Sequence, residues 1–151
     1  MNADLIRKIK QLEREVEKNV SVEVPRVKRG TWAPTFTGFS ADPTGGIFRY
    51  VLIDKTCTCL VTLPNVGTSG GANGTLFRIT SPFTAATVSG MEWFALGGFV
   101  TDNGSSSTTP GMVIIASAGT YFNLYRDVAG TTWTNANGKG MKHFCITYEV
   151  A

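Results

Sequence analysis

A single histidine, His143, serves the whole 151-residue chain. A metal site built on several histidines is thereby excluded within one copy, and any Ser-His-Asp arrangement would have to run through His143. No Gly-x-Ser-x-Gly elbow accompanies it. The glycine-rich stretch 67–74 lacks the Gly-Lys-Ser/Thr ending of a phosphate loop, so it reads as a flexible loop. Cysteines are few and odd in number: Cys57, Cys59 and Cys145. They point to free thiols in a reducing compartment rather than to a disulfide scaffold. No stretch approaches the ~20 apolar residues of a membrane span. Residues 1–18 are charged throughout and lack the apolar core of a signal peptide. The acceptor-like triplets Asn73-Gly74-Thr75 and Asn103-Gly104-Ser105 therefore read as turns.

Charge is scarce beyond residue 30. Eight of the basic residues (Arg7, Lys8, Lys10, Arg14, Lys18, Arg26, Lys28, Arg29) and five acids lie before it, and they account for the net charge of +3. Residues 31–151 hold six of each sign. A nucleic-acid footprint would have to be the N-terminal segment, where signs alternate as on an ordinary solvated helix. Nucleic-acid binding and membrane insertion are accordingly not expected.

What the N-terminus does have is a heptad rhythm. Leu5, Ile9, Leu12 and Val16 are spaced four, three and four apart, with Ile9 and Val16 at a positions and Leu5 and Leu12 at d. Ile6 and Val20 widen the stripe. The alternative, one amphipathic helix packed on its own domain, has against it the following stretch, which shows no sign of folding back. Ile at a with Leu at d favours two strands, and the wider stripe favours three or more. The hexad Lys8-Ile9-Lys10-Gln11-Leu12-Glu13 partly matches a trimer-favouring pattern. A seam this short is marginal alone and needs help from the rest of the chain.

Pro25 ends the helix, and residues 21–30 read as an extended linker. From residue 31 the composition turns to Thr, Gly, Ser and aromatics, which is that of an all-β domain. Strands are expected at 31–37, 48–53, 56–63, 76–80, 87–89, 92–101, 111–117, 120–126, 131–134 and 142–150. Asp54-Lys55 forms a hairpin turn, and long loops cover 65–75 and 102–110. In the last strand Phe144, Ile146, Tyr148 and Val150 alternate with His143, Cys145, Thr147 and Glu149. This number of short strands predicts a sandwich or jelly roll.

Four segments then occur in a familiar order: Gly30-Thr31-Trp32-Ala33-Pro34-Thr35-Phe36-Thr37-Gly38, Phe48-Arg49-Tyr50-Val51-Leu52-Ile53-Asp54-Lys55, Ile79-Thr80-Ser81-Pro82-Phe83, and Ile146-Thr147-Tyr148-Glu149-Val150. Together they resemble the C-terminal head domains of bacteriophage tail fibre, tailspike and baseplate receptor-binding proteins. The chain departs from that pattern at Phe48, Asp54 and Ser81. The resemblance implies a homotrimer of β heads on a fibrous stalk, touching a host surface and commonly a glycan there. It transfers no binding residue, because the matched positions are architectural.

Several constellations invite chemistry. Cys57-x-Cys59 and His143-x-Cys145 each put both side chains on one face of a strand, and a Cys₃His zinc site would be conceivable if the two strands were adjacent. The spacing lacks the usual two-residue gap, so buried thiols acting as small hydrophobes are the expectation, and no metal or cofactor is assigned. Among the carboxylates of the β region, Asp42, Asp54 and Asp102 stand in turn signals, and Glu92 beside Trp93 reads as an outward or strand-end residue. No catalytic pair emerges. Aromatic faces next to amides suit sugar rings. The candidate ligand residues are therefore Tyr121, Asn123, Tyr125, Arg126 and Asp127, together with Trp133, Asn135 and Asn137. The competing reading places Tyr121, Tyr125 and Trp133 in a core or trimer interface.

The expectation is a mainly β chain: a coiled-coil segment at 1–20, a linker at 21–30, and an antiparallel, jelly-roll-like β-sandwich head at 31–151. Three copies associate through Leu5, Ile9, Leu12 and Val16. The expected role is non-catalytic adhesion to a bacterial surface glycan from a virion, alongside other tail proteins. The alternatives are a trimerising or capping virion domain without a ligand, and a C1q/TNF-like trimeric binding module.

Overall fold

A computed structural model describes residues 3–19, 24–70 and 73–151, without the side chains of residues 16–19. The helix, α1, runs Ala3–Asn19 and carries Asp4 in its first turn, where the amide ends favour negative charge. Its stripe is left uncovered: Leu5, Ile9 and Leu12 are 55%, 48% and 59% exposed. The Val16 side chain and the whole of Val20 lie outside the described residues.

The rest is a curled antiparallel sheet. In chain order its strands are β1 (Val27–Thr31), β2 (Phe36–Thr37), β3 (Phe39–Ala41), β4 (Ile47–Ile53), β5 (Thr56–Thr62) and β6 (Gly67–Ser69). They continue with β7 (Arg78–Thr80), β8 (Glu92–Asp102), β9 (Ser105–Ser106), β10 (Gly111–Ala116), β11 (Tyr121–Tyr125) and β12 (Gly138–Glu149). The main path is β1-β4-β5-β12-β8-β10-β11-β7-β2, with β3 on β6, β6 on β12, and β9 on β8. The curl is visible in ring contacts between strands distant along that path. Phe122 of β11 lies 5.8 Å from both Phe144 and Tyr148 of β12. Phe36 of β2, the last strand, lies 6.1 Å from Phe48 of β4, the second.

Period-2 alternation explains the core. On β12 the inward set Phe144, Ile146 and Tyr148 is buried and the outward set His143, Cys145, Thr147 and Glu149 is exposed, as the sequence alternation predicts. The β4–β5 hairpin closes on Ile53↔Thr56 through Asp54-Lys55, with Asp54 at φ 51°. Asp is one of the few residues that tolerates this conformation. Its carboxylate also accepts the Arg26 N–H at 2.9 Å.

Several expectations are corrected. The end of the 21–30 linker is sheet: β1 pairs with β4 from Val27↔Ile53 to Thr31↔Arg49. As an edge strand, β1 keeps its basic residues in solvent, which is why Arg26-Val27-Lys28-Arg29 reads as a connector. The strand expected at 31–37 is two strands on opposite ends of the sheet, because Pro34 breaks the ladder between them. Residues 87–89 form no strand, and Val88 donates its N–H to Ser117 Oγ at 2.8 Å. Residues 131–134 form no named strand; Trp133 donates its backbone N–H to Thr75 O at 3.1 Å. The expected loops contain β6 and β9, and β12 begins four residues earlier than its alternation suggests.

Segment 32–36 latches the two ends of the sheet. Trp32 donates its backbone N–H to Phe48 O at 3.3 Å and its indole N–H to Thr80 O at 2.9 Å. Thr35 and Thr80 exchange two further bonds: Thr35 N–H to Thr80 Oγ1 at 2.9 Å, and Thr80 N–H to Thr35 O at 3.1 Å. Two glycines permit the latch. Tyr50 lies so close over Gly30 that a Cβ there would meet its ring at 2.8 Å. Gly38 has φ +101°, and its Cβ position is filled by the Leu76 carbonyl oxygen.

Candidate functional site

β11 alternates, so Phe122 and Leu124 enter the core while Tyr121, Asn123 and Tyr125 point outward. Asn123 is already committed: its Oδ1 accepts the Arg78 Nε–H at 2.7 Å across the β11–β7 pair. Asn123 and Tyr125 line a shallow cleft of about 90 Å³ with Thr75, Arg78 and Thr132. Tyr121 sits at the other end of β11, opposite Thr80, and takes no part in it.

Past Tyr125 the chain turns on Asp127, whose Oδ1 accepts the N–H groups of Ala129 at 3.0 Å and Thr131 at 3.1 Å. The bonds from Thr131 hold the Asp127 carboxyl below the usual carboxylate range. Arg126 reaches back to β8, where Nη1 donates to Asp102 Oδ2 at 2.9 Å. Asp102 also accepts the Thr134 backbone N–H at 3.0 Å and the Thr134 hydroxyl at 2.8 Å. Burial alone would raise the Asp102 pKa, but the bonds from Thr134 and Arg126 outweigh it and hold the carboxyl below its ordinary value. Arg126, Asp127 and Asp102 line a second, larger cleft of about 330 Å³ with Ser105, Ser106, Ser107 and Thr109. Two carboxylates, one guanidinium and a row of hydroxyls converge there.

The predicted ligand set thus divides. Asn123 and Tyr125 go to the small cleft, Arg126 and Asp127 to the larger one, and Tyr121 to the open sheet face. Trp133 belongs to the core: it is buried, its indole N–H donates to Leu124 O at 2.7 Å, and its ring lies 5.3 Å from Phe77. It offers no face to a sugar. Asn135 is exposed, with its side chain packed directly over Gly74, and Asn137 donates to Asn103 Oδ1 at 2.8 Å. The hydroxyls of 105–109 and the carboxylate of Asp102 escape sequence reading, because Ser, Thr and Asp in a loop carry the ordinary signature of turns.

Lys139 is a further surprise. It is fully buried, and its Nζ donates to Gly74 O at 2.7 Å and to Leu76 O at 2.5 Å while lying 4.6 Å over the Phe39 ring. Burial lowers its pKa to about 8, against the pull of Asp102. Its ammonium ties the 74–76 backbone, and with it one wall of the small cleft, to β12.

The metal arrangement fails on register. β5 and β12 are indeed neighbours, but Cys57 and Cys59 stand opposite Tyr148 and Ile146 on the buried face. His143 and Cys145 stand opposite Thr62 and Leu60 on the outer face. The two pairs point away from each other through the sheet. Cys57 Sγ and Cys59 Sγ lie 3.6 Å apart in the core. Among the described residues no group of three or more His, Cys, Asp or Glu side chains is placed to hold a metal ion. Glu92 is the exposed first residue of β8, opposite Ala116. No helix among the described residues is long and apolar enough to cross a membrane. No protein-family model matches the sequence, and no curated protein matches it.

Proposed function

We propose that the chain is the receptor-binding head of a phage tail fibre or a related virion protein. Three copies are joined by α1 as a parallel coiled coil, and each carries the curled sheet as a jelly-roll-like β-sandwich. The head adheres to a glycan on the bacterial surface without catalysis. Weak sites become useful through three copies per fibre and many fibres per particle. The observation that carries this reading is the larger cleft, where Ser105, Ser106, Ser107 and Thr109 frame Arg126 and the carboxylates of Asp102 and Asp127. Hydroxyls, carboxylates and a fixed guanidinium offer a sugar oriented hydrogen bonds.

The resemblance gains support from where its four segments lie. The Tyr50 ring covers Gly30 and lies 5.0 Å from Phe83, whose carbonyl accepts the Tyr148 hydroxyl at 3.0 Å, while Trp32 bonds Thr80. Segments far apart in sequence thus build one junction. The exposed stripe of α1 supports the coil, since Leu5, Ile9 and Leu12 find no cover among the described residues of one copy.

One observation favours the structural alternative, a capping head without a ligand: Asn123, Asp102 and Asp127 are all engaged in internal hydrogen bonds. Ser106→Trp separates the two readings. It fills the larger cleft from an exposed position and leaves the Arg126–Asp102 bond intact. The adhesion reading expects binding of the wild-type chain to a bacterial glycan array and to permissive cells, with at least ~10-fold weaker binding by Ser106→Trp. Absence of wild-type binding to every glycan and permissive host favours the capping role. Deleting residues 1–20 is expected to weaken the trimer while leaving the β circular dichroism spectrum unchanged; loss of that spectrum would place α1 in the domain core.

A further inference from the structure

Beyond the helix, one large apolar surface has no cover among the described residues. On the outer side of the sheet Phe94 of β8 is 72% exposed and Leu96 is 58% exposed. The register sets Phe94 beside Ile114 and Leu96 beside Met112, both on β10. On the other side of β8, Cys145 of β12 stands one residue beyond the Phe144↔Gly97 pair, with Leu60 of β5 opposite it. These six side chains form a continuous band across β5, β12, β8 and β10 with no Asp, Glu, Lys or Arg among them. Charges of both signs stand at its margins: Glu92 and Glu149 at the strand ends, and Arg49 of β4 opposite Leu60.

We propose that this band is where the heads of neighbouring copies of the chain pack together. The proposal rests on the trimer reading and gives it an interface. Area is the first argument. A fully buried Phe removes about 150–250 Å² from water. Phe94, Leu96 and their half-covered neighbours therefore offer on the order of 400 Å² of apolar surface. A standard interface takes ~800 Å² per partner, a little over half of it apolar, so the band supplies the apolar share of one such patch. A contiguous apolar patch of that size matches the largest found on a typical monomer, and such patches often mark an interaction site. Charge is the second argument. An uncharged centre with both signs at the rim lets another copy of this chain meet it without burying an ion or opposing like charges. The band has too few donors and acceptors to orient a sugar, which separates it from the hydroxyl-lined cleft. The third argument is that α1 leaves a second apolar stripe uncovered in the same chain, so associating copies would bury both at once.

Cys145 provides a direct readout. It is the exposed thiol, while Cys57 and Cys59 are buried. The full chain and its Phe94→Glu/Leu96→Glu variant are compared by sedimentation equilibrium and by labelling with an aromatic disulfide reagent. The wild type is expected to sediment as a trimer. Its Cys145 should label at least ~10-fold more slowly in the assembled state than after dilution below the dissociation constant. The double variant should fold, because both side chains are exposed. Its dissociation constant should rise at least ~100-fold and its Cys145 should react freely. If the double variant does not fold, the concentration dependence of wild-type labelling decides by itself. A wild-type trimer whose Cys145 reacts at the free-thiol rate, or a double variant of unchanged mass and affinity, overturns this interface while leaving the trimer standing. A monomeric wild type overturns both.

Discussion

Trp32→Ala should lower the stability of the head by about 3–5 kcal/mol, the range for removing a large aromatic from a packed site. The effect should exceed that of other half-buried aromatics, because Trp32 joins parts of the sheet that no ladder joins. Its ring contacts Phe48 at 5.4 Å and Phe122 at 6.5 Å, and its indole N–H reaches Thr80 O. Phe48 belongs to β4 near one end of the sheet path, and Thr80 to β7 near the other. Trp32→Phe keeps most of the apolar contact and loses the hydrogen bond, so it should cost about 1 kcal/mol plus the penalty of an orphaned carbonyl. Denaturant unfolding of the two variants checks the order. Equal losses would mean that the carbonyl bond, rather than the ring packing, carries the latch.

Asp102→Ala is expected to be the second large effect, at about 3 kcal/mol, since Asp102 joins β8 to Arg126 and to the 131–134 segment at once. Only part of this is charge pairing, because the Arg126 side chain is 39% exposed and water screens it. Much of the loss comes from the Thr134 N–H and the guanidinium left without their acceptor. The pH dependence follows in sign. The folded-state pKa of Asp102 lies below its unfolded value, so its contribution is fully present above about pH 4 and is lost as pH falls through the depressed folded value. Asp127 acts in the same direction. Asp102→Asn should therefore destabilise at neutral pH and flatten the acid limb of the stability profile. An unchanged acid limb would show that Asp102 does not contribute to it.

What was legible in the sequence was local periodicity and turn chemistry. The β12 alternation, the Asp54-Lys55 hairpin and the spacing of the α1 stripe could each be read locally, because local geometry alone produces them. What was hidden depended on partners distant in the chain. Trp133, flanked by Thr132 and Thr134 and followed by Asn135, has the look of a surface aromatic. It is buried because Phe77 and the Leu124 carbonyl come to meet it. Lys139 has no local sign of burial; it is buried because Gly74 and Leu76 present their carbonyls to it. β1 reads as a linker because an edge strand tolerates the same basic residues that mark a solvated connector. For the candidate site, β11 and its turn were visible as aromatic and amide spacing. The cleft they line was not, because half of it comes from Asp102 and the hydroxyls of 105–109 across the sheet. The sharper metal idea failed on one feature the sequence does not print, the register between β5 and β12.

The central claim is that this is a three-copy head in which α1 and the sheet act together. The most direct test is the mass of the full chain in solution at micromolar concentration. One copy weighs 16.2 kDa, so the account predicts a species of about three times that mass, falling apart on dilution more readily once residues 1–20 are removed. A species that stays at the single-chain mass at every accessible concentration would contradict it.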